Sequence, residues 1–414
     1  MAATMACVLS AAAETLDIET VITNPGEDAS TMMNVSWSAY VPRTAVVYTR
    51  ADDAQWSNAT TLVPEQEHLC FTYDSISSKR PWGADFFETP IFFKCGAAIK
   101  GLAPDTEYKY KVMTLDGKES TAEHRFKTAG AQEWSCCIIS DFHAYAPLPK
   151  RTRAAMDMMG VIERYDPSID WVLHLGDVCA WGGSYSFWRD LYKEDYFHRF
   201  MWAGVNGNHD NMSRKYQLTN AYFRDANYVP RNGYEGEMGV CYHFRYGNAM
   251  FVMLNNEDMR DDAGFEAAAQ WVRKVVTEAR QSSNPPQYVF VCEHYQWFMG
   301  HTGKKSQYNR WSPIFDELGV DVALAGNNHI YVRSGVLCDG KETDGTRGTL
   351  YVQTPSADNE RGMTVNEGAH NDMFKYRWTE GDRTVGALNM KVTPQGITIT
   401  LHDRYGNLLD TSRR

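Results

Sequence analysis

The rhythm of apolar and polar positions changes about a third of the way along the chain. Through residues 17–128, short runs alternate sides or concentrate β-branched and aromatic residues, as in Asn34–Tyr40 and Ala45–Arg50. Turn formers such as Asn24-Pro25-Gly26 separate them. In Gly101–Val112 a Pro-Asp turn precedes Tyr108, Tyr110 and Val112, whose spacing of two puts all three on one face of a strand. This pattern predicts an antiparallel all-β sandwich of about 100 residues, assigned to residues 14–130. The stretch Glu65–Pro90 breaks the pattern and reads as a long, irregular, aromatic insertion.

From Trp134 onward, continuous apolar runs alternate with segments of helical period, which is the signature of an α/β layout. Trp134–Ser140, Trp171–Leu175, Met201–Val205, Tyr288–Cys292 and Val320–Ala325 read as buried strands. Arg151–Tyr165 carries Ala155, Met158 and Ile162 at helical spacing. Phe265–Arg280 does the same with Val272, Val275 and Ala279. The tail returns to strands at Leu350–Gln353, Val385–Val392 and Ile397–His402, the last two joined by Pro394-Gln395-Gly396. The second domain is therefore expected over 131–414, and in such folds ligands sit at the carboxyl ends of strands.

Those strand ends are where the chemistry collects. Asp141 and His143 follow the first strand and Asp177 the second. Asn208 and His209 follow the third, His294 the fourth, and Asn327 with His329 the fifth. A lone Asp after a strand usually caps a helix, and a lone His there is usually structural. Five consecutive loops ending alike argue for one shared site. Carboxylate, amide oxygen and imidazole donors suit Fe, Mn or Zn. Two such ions about 3.5–4 Å apart can clamp a phosphate and activate a water, with a shared carboxylate holding the spacing.

The ordered motifs DFH (141–143), GDVCAW (176–181), GNHD (207–210), VCEH (291–294) and GNNH (326–329) resemble those of the calcineurin-like metallophosphoesterases. Within that group they are most similar to the purple acid phosphatases. The front segment resembles the fibronectin-III-like (immunoglobulin-like) domain that precedes the catalytic domain there. The resemblance implies a metallophosphoesterase β-sandwich flanked by helices and a pair of bound metal ions, divalent or divalent with trivalent. It implies that the first ion takes Asp141, His143, Asp177 and His329. The second takes Asp177, Asn208, His294 and residue 327, so that Asp177 bridges. It further implies that His209 faces the substrate and that Asp210 orients its ring. His301 is placed either to reach a phosphate oxygen or as a surface or structural residue.

Two positions depart from the purple acid phosphatase pattern. Trp181 stands where those proteins have the Tyr whose phenolate colours ferric iron, and His143 stands where they have Gly. The pair of changes predicts a protein that is not purple, with a divalent first ion. Asn327 replaces the first His of a G-H-x-H motif. It is shorter and offers only a carbonyl oxygen, which predicts weaker binding of the second ion whether the residue is native or introduced. The implied reaction is phosphomonoester hydrolysis by attack of a metal-bound hydroxide, with His209 protonating the leaving oxygen. Phosphodiester hydrolysis by the same machinery is the alternative. A catalytically weak binding relative is a further one, favoured only by Asn327.

Composition narrows the partners. The 414 residues carry a net charge of −11, which disfavours nucleic acid as a ligand, since that affinity rests on many Lys and Arg contacts to phosphate. A small-molecule or a glycan- or lipid-linked phosphate ester is expected. Neither GxxxxGK[ST] nor GxGxxG occurs. No apolar run reaches the roughly 18–20 residues of a membrane span. Residues 1–13 are uncharged and end in small residues, like the apolar part of a secretory signal without its basic start. A secreted or periplasmic protein is the expectation, and the Asn-x-Ser/Thr sequons at Asn34, Asn58 and Asn211 matter only in that case. Of nine Cys, Cys136, Cys137, Cys179 and Cys292 read as small core residues, whereas Cys70 and Cys95 flank a loop-like stretch that a disulfide could close, a pairing that sequence does not decide. Trp181, Tyr185 and Trp188 read as core packing, with walls of the cleft as the alternative. Tyr145, Arg361 and the loop Asp358–Asp372 are candidates for shaping specificity.

Overall fold

A computed structural model of the chain describes residues 17–71, 74–76, 86–88, 91–212, 221–298, 307–358, 373–379 and 385–414. Its frame is two large sheets packed face to face with helices outside, preceded by β-rich structure. Alternation along each strand assigns the layers. In the strand Trp134–Ile139, Cys136 and Ile138 point into the core between the sheets, whereas Cys137 and Ile139 pack against Ala155, Met158 and Ile162 of helix Lys150–Tyr165. In Ala249–Met253, Phe251 and Met253 join the same inner core. Met250 and Val252 face Val272 and Val276 of helix Asp262–Gln281. Asp261 caps that helix by accepting from the Gly264 amide at 2.8 Å.

The inner core is aromatic. Phe251 is fully buried and stacks on Phe290 with ring centroids 4.6 Å apart, while Phe244 and Trp171 lie 5.1 Å away. Replacing Phe251 by Ala is expected to cost about 3–5 kcal/mol of stability, measurable by urea unfolding. A loss below about 1 kcal/mol would mean that the sheets do not meet through this ring.

One sheet runs through the parallel strands Trp134–Ile139, Trp171–His174 and Met201–Gly204. The other contains Ala249–Met253, Tyr288–Cys292, Val322–Ala325 and Thr349–Gln353, also parallel. The carboxyl ends of both sets open on the same site. The front segment contributes strands to two sheets. Ile18–Pro25, Met32–Ala39, Ile91–Lys100 and Gln66–Phe71 make one face, and His124–Lys127, Glu107–Thr114, Thr44–Arg50 and Thr60–Leu62 make the other. Tyr108, Tyr110 and Val112 are buried in it, as their spacing predicts. The first of these faces continues into the sheet of Trp134–Ile139, since Ile18–Pro25 lies parallel to Met201–Gly204 with Thr23 opposite Met201. Asn24 Nδ2 donates to the Trp202 carbonyl at 2.8 Å. Hydrogen bonding therefore crosses from one region of the chain to the other within a single ten-stranded sheet.

Two expectations are corrected here. Part of the supposed insertion, Gln66–Phe71, is an edge strand paired with Ile91–Lys100. In that register Cys70 lies opposite Phe92 and Cys95 opposite Glu67. The two thiols are offset along the strands, and both are free. Asn34 and Asn211 are buried, with Asn34 Nδ2 donating to the Tyr228 carbonyl, so neither can carry a glycan in the folded chain. Asn58 is exposed. The strand Thr349–Gln353 lies between Val322–Ala325, to which it is parallel, and Tyr331–Cys338, to which it is antiparallel. No helix among the described residues is long and apolar enough to cross a membrane.

Candidate metal centre

The strand ends bring six of the expected side chains within ligand distance of one another. Asp141, His143 and His329 form one group, His143, Asp177 and His209 a second, and Asp141, Asp177 and His294 a third. Asp177 joins the last two through different oxygens. Its Oδ2 lies 3.4 Å from His143 Nε2 and its Oδ1 lies 3.3 Å from His294 Nε2. Asp141 Oδ1 lies 3.2 Å from His329 Nε2.

Hydrogen bonds at the far side of two rings fix what these nitrogens present. His294 Nδ1 sits 2.7 Å from the Leu175 carbonyl, which can only accept. His143 Nδ1 sits 3.1 Å from the Asp141 carbonyl and 3.2 Å from Asp358 Oδ2, both acceptors. Each Nδ1 therefore carries the proton, and in the neutral ring each Nε2 turns a lone pair toward an Asp177 oxygen. Lone pairs facing a carboxylate at this distance call for a positive charge between them. Burial alone would lower the His294 pKa, but Asp177 and Asp141 outweigh it and push it up to about 10. Burial alone would raise Asp177, yet His294, His209 and His143 hold it well below the usual carboxylate range. The field favours a cation at this point, whether a proton or a metal ion, and the nitrogen and oxygen donors fit Fe, Mn or Zn. Asn208 Oδ1 is also buried and has no hydrogen-bond partner among the described residues, as expected of an oxygen that meets an ion.

The backbone is bent to aim these groups. Asp141, His143, Asp177, Asn327 and His329 have φ of 54°, 48°, 53°, 61° and 56°. They are half of the ten non-glycine residues with positive φ among those described. Asp, Asn and His tolerate this region best, and such residues cost of order 1–3 kcal/mol each. The strain collects at the site. Gly207 is required by proximity, since a Cβ there would lie 2.2 Å from the Asp177 amide nitrogen and 2.3 Å from its Oδ1.

The remaining expected residues fall differently. His209 Nδ1 bonds to the Ala180 carbonyl at 2.8 Å, and its amide donates to Asp177 Oδ1 at 2.7 Å. The Asp210 carboxylate accepts from the Cys179 and Gly207 amides at 2.9 and 3.0 Å. It clasps two loops, and the Ala180 carbonyl takes the ring-orienting place expected of it. Asn327 donates its amide to Asp141 Oδ2 at 3.0 Å, and its Nδ2 donates to Gln296 Oε1 at 2.5 Å. His301, Arg361 and most of the loop after Asp358 lie outside the described residues. Tyr185 and Trp188 are core residues, Tyr185 stacking on Phe92 at 4.1 Å. Trp181 is nearly buried, with its ring 5.8 Å from that of His209. Arg333 is structural, paired with Asp410 at 2.5 and 2.9 Å.

Sequence reasoning missed the supports. Ser140 Oγ donates to Asp141 Oδ2 at 2.6 Å. Asn256 Oδ1 accepts from the His294 and Tyr295 amides at 2.8 and 2.7 Å, holding the turn that carries His294. Ser356 and Asp358 follow the strand Thr349–Gln353. The sequence marks the loop from Asp358 for specificity only; recognising the strand as parallel to Val322–Ala325 would have marked it as a sixth contributor to the site.

Residues 136–331 match the Calcineurin-like phosphoesterase family. Uncharacterized proteins of two Mycobacterium tuberculosis strains are 27% identical over 294 residues, which covers 63% of this chain and 54% of theirs. The chain thus spans about half the length of these curated relatives. Among solved structures, a purple acid phosphatase from yellow lupin (Lupinus luteus) seeds is similar in fold. Its TM-score is 0.73 at 16% identity, over 96% of this chain and 74% of that one. PhoD is similar with a TM-score of 0.61 at 15% identity, over 98% of this chain and 90% of that one.

Proposed function

We propose that this chain, whose residues 136–331 form a calcineurin-like phosphoesterase domain, hydrolyses phosphoric monoesters at a two-cation centre. The observation that carries this reading is Asp177, with one carboxylate oxygen turned to His143 Nε2 and the other to His294 Nε2. A single side chain thereby addresses two cation positions. One would use Asp141, His143, Asp177 and His329. The other would use Asp177, Asn208 and His294, with Asn327 beside it.

When bound, such a pair supplies Lewis acidity toward phosphoryl oxygens and lowers the pKa of a coordinated water. The side chains do the rest. The buried imidazoles and carboxylates hold fixed positions, so little reorganisation accompanies charge build-up on the phosphate. His209 keeps its Nδ1 on the Ala180 carbonyl, which leaves Nε2 to carry a proton toward the leaving oxygen. Trp181 walls that side of the cleft.

The test compares the chain with Asn327→His. Both forms are analysed for bound metal and assayed on an aryl phosphate and an aryl phosphodiester with Mn, Zn or Fe supplied. The His form is expected to hold the second cation about tenfold or more tighter, the scale at which even outer-sphere groups move metal affinity, and to turn over faster. A higher rate on the diester in both forms would make the chain a phosphodiesterase instead. If neither form binds metal or hydrolyses either ester, the hydrolase reading fails and the chain is a binding relative of the fold.

A further inference from the structure

The turn that carries the first two candidate ligands, Ser140–His143, does not stand alone. The segment Ser356–Asp358, which follows the strand Thr349–Gln353, lies along it and holds it at several atoms. The Ala357 amide donates to the Ser140 carbonyl at 2.9 Å. Ser356 Oγ donates to the Asp141 carbonyl at 2.9 Å and accepts from the Asp358 amide at 2.9 Å. Asp358 Oδ2 then reaches His143 Nδ1 at 3.2 Å. Its other oxygen, Oδ1, lies 3.6 Å from Arg151 Nε in the first turn of helix Lys150–Tyr165.

Asp358 is fully buried. A buried carboxylate is costly unless it is paired, so its position between an imidazole N–H and a guanidinium requires a reason. The reason lies at the opposite ring nitrogen. A carboxylate on Nδ1 fixes the tautomer and the ring plane, and makes Nε2 a stronger donor to a cation. Of the two imidazoles with a fixed tautomer, His294 has only a neutral carbonyl at this place, whereas His143 has, beside the Asp141 carbonyl, a negative charge 3.2 Å away. The two cation positions are therefore built with different donor strength, the stronger on the His143 side.

We propose that Asp358 is a positioning residue for His143, with Arg151 anchoring it, and that the pair sets the cation affinity of the His143 side of the centre. This rests on the two-cation reading of the preceding subsection. It assigns a role outside the ligand set to a residue that no strand-end motif contains.

The test uses full-length protein freed of metal by chelation and titrated with Mn²⁺ alone. Binding is read by calorimetry, and kcat and KM on an aryl phosphate are read at each Mn²⁺ level. Asp358→Asn keeps the shape and removes the charge. It is expected to weaken one class of Mn²⁺ site by about 10–100-fold and to leave the other unchanged, with kcat recovering at saturating Mn²⁺. Arg151→Met is expected to shift the same site in the same direction by less, and decides the matter if the Asn variant folds poorly. Binding within about twofold of the parent in the variants that fold would overturn the proposal while leaving the hydrolase reading intact. Weakened binding with kcat not restored by Mn²⁺ would also overturn it, because Asp358 would then be structural only. Failure of the unsubstituted protein to bind Mn²⁺, Zn²⁺ or Fe²⁺ would remove both.

Discussion

Asp177→Asn is expected to lower kcat by at least about 10³-fold and to remove most of the bound metal. The substitution keeps volume and one carbonyl oxygen, so the fold should persist. What it removes is the charge that both histidines face. In the unsubstituted chain Asp177 Oδ1 and Oδ2 lie 3.3 and 3.4 Å from His294 Nε2 and His143 Nε2. An amide in this place would turn its NH₂ toward one of the two cation positions and so repel that ion. Lewis-acid stabilisation by bound cations is worth several kcal/mol, and about 4 kcal/mol corresponds to roughly 10³ in rate. The measurement is metal content by elemental analysis beside kcat on an aryl phosphate. A variant that still holds two ions and works within about tenfold of the parent would sink the bridging role, because one oxygen would then suffice.

The same loss should not follow from changing Asp210, although the two acids belong to neighbouring loops. Both Asp210 oxygens accept backbone amides, and burial together with the Asp177 charge pushes its pKa up to about 7. Its job in the structure is to clasp the Cys179 and Gly207 backbones. The sequence motif GNHD made it look like a partner of the adjacent imidazole, because proximity in sequence is a poor guide within a tight turn. Side chains one residue apart there point in different directions, and the ring is met instead by a carbonyl of the neighbouring loop.

That contrast describes what could be read without coordinates. Candidate ligands at strand ends were legible because parallel strands display their last residues on one edge, and buried runs such as Tyr288–Cys292 are unmistakable in an apolar count. The alternation that buries Tyr108, Tyr110 and Val112 was legible for the same reason. Asp358, Ser356, Asn256 and Gln296 were not, since each acts on a residue far away in the chain. Asp358 is 215 residues from His143 in sequence but 3.2 Å from it in space. Strain was likewise hidden. Nothing in the motif DFH says that Asp141 and His143 both sit at positive φ. The demand becomes visible only when the flanking strands fix where the turn must go. The passage of Ile18–Pro25 into the ten-stranded sheet was hidden too, because a single parallel pairing at Thr23 leaves no periodic trace.

His209 is the residue whose role the geometry leaves most open to a decisive experiment. It belongs to a ligand-distance group with His143 and Asp177, yet its Nδ1 is on the Ala180 carbonyl and its ring stands edge-on to His143 with centroids 5.0 Å apart. A ligand and a proton donor would both be essential, but they fail differently. If His209 donates the proton, His209→Asn should lower kcat on an alkyl phosphate by about 10²–10⁴-fold, the usual contribution of a positioned acid. Metal content should stay at the parent level. On a nitrophenyl phosphate the defect should shrink, since a good leaving group departs as an anion and needs no proton. The dependence of rate on leaving-group basicity should therefore steepen in the variant. If instead metal content falls and the defect is equal for both esters, His209 is holding an ion. Asp177, already placed to accept the His209 amide at 2.7 Å, would then be supporting a ligand rather than an acid.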